Sequence, residues 1–245
     1  MRLSGFIRKG VNTMNGLNIC YLTALVPALI AAVYGIAVIL RKYRGLYFVM
    51  EVMAIVCLMI GQLAYCITAF TGASRPSEFH IGTLGAVGSC LFFMTANIGP
   101  MNQLADDNRE QLQKYRLLAS TGPIAAVILL AFCVFIMNRR NCYIGFTTSL
   151  IMTAFTVVPL YFSTKMAIIP DVEDGFISCM RPNNYAVTVL GLLNTLERGM
   201  RNLWFGDTVI ENLLMYALYI SIGLCTLVVI MLLKKGAKRW TEILL

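Results

Sequence analysis

The chain has 245 residues, 58% of them apolar and 13% charged, with a mean hydropathy of +0.74. Soluble domains carry about a quarter charged residues, so this chain lacks the polar surface to coat a globule of its size, and lipid must be the solvent for much of it. The net charge of +8 does not point to nucleic acid, because the Lys and Arg residues stand in short clusters at the ends of apolar runs, where positive-inside signals and headgroup contacts belong.

The expectation is therefore an all-α, polytopic transmembrane bundle forming a single membrane domain over 1–245. Residues 1–16 place Leu3, Phe6, Ile7 and Val11 at helical spacing beside Arg2, Arg8 and Lys9. They read as a basic amphipathic interfacial segment or as a frayed basic tail, since Gly5 and Gly10 weaken a helix there. A span needs about 20 apolar residues to cross a hydrocarbon core of roughly 30 Å. The first such run, Leu17–Leu40, is longer than a signal-peptide core and ends in Arg41-Lys42-Tyr43-Arg44 with no small-residue cleavage site, so it is expected to be retained.

The second run, Leu46–Phe70, carries Glu51 about a turn and a half from its start and Gln62 farther on. An ionised carboxylate at that depth is costly unless paired or near water. Glu51 thus reads either as a proton or cation site facing the bundle interior, or as a partner for Arg44 or Lys42 at the interface. The third run, Ile81–Leu104, repeats glycine at Gly82, Gly85 and Gly88, a small-residue stripe suited to close helix packing. Near its end, Pro100 predicts a kink around Ala96, and Asn97, Asn102 and Gln103 crowd the same stretch. The fourth and fifth runs are Leu117–Met137 and Tyr143–Thr164, and the last is Val209–Leu233.

Between the fifth and last runs lie two less regular stretches. Asp171-Val172-Glu173-Asp174-Gly175 resembles the opening of the CDP-alcohol phosphotransferase signature, a family that would imply bound metals and nucleotide phosphates. Ser178-Cys179 stands where that signature continues with Ala-Arg, and no Asp follows before Asp207. The stretch reads instead as a polar loop opened by Pro170 and turned by Gly175. Tyr185–Leu196 is apolar but only half a membrane long, and Asn194 lies inside it. It is either a seventh span with polar ends or a re-entrant or interfacial helix, which would leave six spans.

Basic residues bear on that choice. With seven spans and an external N-terminus, twelve of the 20 Lys and Arg residues fall on the cytoplasmic side and eight outside; with six spans the split is ten to ten. The positive-inside rule favours seven. Lys234, Lys235, Lys238, Arg239 and Trp240 open a short tail, 234–245, that reads as cytoplasmic under either count. With Arg41, Lys42 and Arg44 they form inner-face anchors.

Six of the eight cysteines (Cys20, Cys57, Cys66, Cys90, Cys133 and Cys225) lie inside apolar runs, and Cys142 and Cys179 flank opposite ends of one, so reduced thiols are expected. There is no zinc spacing, no His-Glu-x-x-His, no Gly-x-Ser-x-Gly and no P-loop, and His80 has no second histidine. Neither enzyme chemistry nor a cofactor is expected. The candidate polar pathway comprises Glu51, Gln62, Asn97, Asn102, Gln103 and Asn194. Transport of a small solute or lipid is the leading expectation, with a seven-helix sensor signalling through a partner as the alternative. In outline, seven spans with an external N-terminus resemble the three-plus-one-plus-three sugar-efflux transporters. Six spans with a re-entrant helix resemble the membrane subunit of an ABC-2 exporter. The expected partners are the lipid bilayer, a separate ATPase or kinase, and a further copy of the chain.

Overall fold

The computed structural model describes residues 3–41, 45–71, 80–104, 109–141, 143, 145–170, 175–201 and 209–243; among them, the side chains of 3–18, 99–104, 109–113 and 243 are not described. All of the regular structure among the described residues is helical: α1 (Leu3–Arg41), α2 (Leu46–Phe70), α3 (Ile81–Leu104), α4 (Arg109–Ala119), α5 (Thr121–Arg140), α6 (Phe146–Ile168), α7 (Phe176–Met200) and α8 (Val209–Ile243). Backbone groups in lipid have no water to bond, so each apolar run satisfies them within a helix. Six helical stretches are long and apolar enough to cross a membrane: Ile19–Arg41, Leu46–Phe70, Ile81–Ile98, Lys114–Arg140, Phe146–Ile168 and Val209–Glu242. The chain is a multi-pass membrane protein. The ends of α2 and α3 fall where the sequence puts them, while α1 and α8 run past their apolar cores into the basic segments on either side.

The helices α1, α2, α3, α6, α7 and α8 close a ring, each packed on the next and α8 back on α1; α5 lies outside it against α6 and α7, with α4 against α6. Small residues set the close approaches. A Cβ on Gly85 of α3 would come within 2.6 Å of the Gly61 Cα on α2, and one on Gly223 of α8 within 2.7 Å of the Thr23 carbonyl oxygen on α1. The outer surface is apolar, with Ile30, Val33, Ile67, Ile128, Phe135 and Met231 exposed. The interior holds Glu51, Gln62, Asn97, Asn183, Asn184, Asn194, Glu197 and Arg198. That arrangement inverts a soluble protein and fits a chain whose outer solvent is lipid.

The ambiguous stretch is part of α7, which has 25 residues and so spans about 37 Å at 1.5 Å per residue. Near its start, Asn184 reaches the Tyr47 hydroxyl at the beginning of α2; near its end, the Arg198 and Arg201 guanidiniums lie over the Tyr65 ring toward the end of α2. The helix therefore runs the length of the bundle beside α2. With α7 counted, the described helices run the length of the bundle seven times, with α1 starting at one end and α8 finishing at the other. α7 is more polar than the six apolar helices because it carries buried Asn183, Asn184, Asn194, Glu197 and Arg198, while Tyr185 and Val189 take the outer surface.

Candidate functional site

Two polar clusters occupy the interior, one at each end of α7. At the end where α2 begins, Glu51 is fully buried. Tyr47 lies one turn earlier on the same face of α2, and its hydroxyl accepts hydrogen bonds from the Asn184 amide at 3.1 Å and the Asn183 amide at 3.4 Å. The Glu51 carboxylate faces this hydroxyl and Asn183, yet neither of its oxygens accepts a well-formed hydrogen bond, and the side-chain oxygens of Asn183 and Asn184 are unpartnered as well. Tyr47 is further fixed by edge contact with Phe176, which in turn meets Trp240 of α8. Among the described residues no basic group forms an ion pair with Glu51. Lys42 and Arg44, the partners considered from sequence, lie outside the described residues.

The cluster at the other end is built on the last two turns of α7. Glu197, fully buried, accepts on one oxygen from Arg201 at 2.9 and 2.6 Å and from the Tyr219 hydroxyl of α8 at 2.5 Å. Its second oxygen lies 3.0 Å from Arg198 Nε. The guanidinium carbons of Arg201 and Arg198 stand 3.8 and 4.6 Å from the Tyr65 ring centre, a cation–π arrangement. Tyr65 also stacks with Tyr21 of α1 and with His80, which immediately precedes α3. Its hydroxyl pairs with Thr83 at 2.8 Å. His80 Nδ1 accepts from the Gly82 amide, so Nε2 carries the proton and donates to the Thr68 hydroxyl at 2.6 Å, which in turn donates to the Ala64 carbonyl. Burial first, then the Arg201 and Arg198 charges, hold His80 below its ordinary pKa, consistent with a neutral ring.

Of the residues singled out in sequence, Glu51, Gln62, Asn97 and Asn194 are all buried. Both polar ends of Gln62 lack a partner, as do the side-chain oxygens of Asn97 and Asn194. The amide nitrogens of Asn97 and Asn194 each return to a carbonyl of their own helix. Gln62 lies three turns beyond Glu51 on the same face of α2, so the seam continues from one cluster toward the other. Asn102, Gln103 and Pro100 are helical positions of α3 whose side chains are outside the described residues. Gly82, Gly85 and Gly88 lie against α2 at Tyr65, Gly61 and Cys57. Of the inner-face anchors, Arg41 and the basic residues of α8 share the end where α2 begins: Lys234 sits 4.9 Å from the Tyr34 ring and Lys238 pairs with Glu242. None of the seven described cysteines is in a disulfide, and Cys142 lies outside the described residues. No three His, Cys, Asp or Glu side chains converge as a metal site among the described residues.

Sequence reasoning missed Asn183, Asn184, Glu197, Arg198 and Arg201, which it treated as the polar margins of a half-length segment. A signal was available. Glu197 and Arg201 stand four apart, the spacing of a same-face ion pair, beside tyrosines on three apolar runs. No protein-family model, curated protein or solved structure matches the chain.

Proposed function

We propose that this protein is a membrane transporter for a small solute, with its pathway running through the helix ring between α2 and α7. The observation that carries the reading is the set of buried side chains inside the ring that keep polar atoms without partners, among them Glu51, Gln62, Asn97, Asn194 and Arg198. Buried polar atoms without partners each cost on the order of 1–3 kcal/mol, and stability alone gives no reason to accumulate them inside one ring of helices. A pathway does, because solute and water take up those groups in passing. Orientation follows from charge: the end holding Arg41, Lys234, Lys235, Lys238 and Arg239 faces the cytoplasm, which puts the Arg198 cluster on the external side.

Substituted cysteines test the pathway. In membranes, Gln62→Cys and Asn194→Cys should react with a small, charged, membrane-impermeant thiol reagent much faster than Leu63→Cys and Val189→Cys, which face outward. Equal and negligible labelling at all four positions would exclude a hydrated route between α2 and α7.

A further inference from the structure

We propose that the Arg198–Arg201 cluster is a binding site for an oxyanion, a carboxylate or phosphate group; this rests on the transport reading and names the chemical class of its cargo. The charge count is the starting point. Two guanidiniums face one carboxylate while His80 is neutral, so the cluster carries a net positive charge. Three donors share one Glu197 oxygen, and the other lies 3.0 Å from Arg198 Nε without forming a hydrogen bond to it. Arg198 Nη1 is left buried and without a hydrogen-bond partner, on a side chain 1% exposed.

Stacking on Tyr65 does not meet that need. It uses the flat face of the guanidinium, whereas the N–H donors point outward in its plane and want in-plane acceptors. A carboxylate or phosphate presents paired oxygens at the spacing of the fork, and such bidentate bonds are among the strongest available. Polar neighbours stand nearby. Cys90 on α3 lies within the field of Arg198 and 3.7 Å from the Thr156 hydroxyl on α6. Ser149 on α6 is tied to the Arg198 carbonyl oxygen. The oxyanion comes either free from solution or as the headgroup of an anionic lipid.

Thermal unfolding of the purified full-length protein in nanodiscs separates these cases. In phosphatidylcholine discs, sodium acetate or sodium phosphate should raise Tm by several degrees over sodium chloride at equal ionic strength. Arg198→Gln should abolish the shift. A shift that appears only when phosphatidylglycerol is added to the disc assigns the site to a lipid headgroup. If Arg198→Gln does not fold, Arg198→Lys keeps the charge without the fork and should weaken binding by about tenfold, the lower end for a lost charged hydrogen bond. No shift of the parent protein with acetate, phosphate or anionic lipid, or an equal shift in a folded Arg198→Gln, would overturn the proposal. Flux in proteoliposomes is read separately. Binding without flux keeps the anion site, sinks the transport reading and leaves a sensor; flux of another solute with no anion binding does the reverse.

Discussion

Glu51 and Glu197 are both fully buried carboxylates, and their surroundings separate their roles. Glu197 is fixed by two arginines and a tyrosine, which makes it a structural anion. Glu51 forms no ion pair among the described residues, and both its oxygens lack a hydrogen-bond partner. Glu51→Gln, which keeps shape and removes charge, is expected to unfold at the parent's temperature while the pH dependence of flux disappears; loss of folding would mark Glu51 as structural. If Arg44 holds it instead, Glu51→Gln and Arg44→Gln should each destabilise, and their double mutant should show coupling. His80 gives a second pH effect with a definite sign. Its folded pKa lies below the ordinary value, so the unfolded chain binds the proton more readily. The associated stability is complete above about pH 6.5 and declines as the pH falls toward the folded pKa. Tm measured across that range should fall in the parent, and by less in His80→Gln. From sequence, Glu51 stands out because a lone carboxylate in an apolar run is conspicuous. Glu197 does not, because an acid beside two arginines at a segment end looks like a solvated margin.

The element with most at stake in close packing is α3. A Cβ on Gly85 meets backbone atoms of Gly61 at 2.6 Å and the Cys57 carbonyl oxygen at 2.7 Å, and backbone cannot swing aside as a flexible side chain does. Gly85→Leu is therefore expected to cost at least the ~1–3 kcal/mol typical of overpacking, seen as a lower Tm and poorer accumulation. Gly88→Ala, whose added carbon meets the Cys57 sulfur at 3.3 Å, should be far milder. An equal loss at both positions would mean that the α2–α3 contact does not set stability. The boundaries of α2 and α3 were legible because each is a continuous apolar run closed by polar or turn residues. The reach of α7 was not. Hydropathy charges every polar residue against a span whatever its direction, and most of α7's polar groups point away from lipid. Pairing across the ring, such as Asn184 with Tyr47 or Arg201 with Tyr65, depends on tertiary geometry that no local pattern encodes.

At the scale of the molecule, the proposed count of seven spans would put the two chain ends on opposite sides of the membrane. A single cysteine at Ser4 should be labelled by an impermeant reagent from outside intact cells, while a reporter fused after Leu245 should be active only in the cytoplasm. A Ser4 cysteine reached only after permeabilisation would contradict the odd number of crossings. The inward-facing charges of α7 also bear on how the protein is made. Arg181, Glu197 and Arg198 lie within a helix of 25 residues, and each such charge opposes partitioning of an isolated segment into lipid by up to ~2.5–3.5 kcal/mol. α7 is thus a poor candidate to leave the translocation channel alone. It should wait for α8, whose Tyr219 meets Glu197, and enter beside it, so that a nascent chain cut before Val209 leaves the α7 segment uninserted although the six preceding helices are already in place.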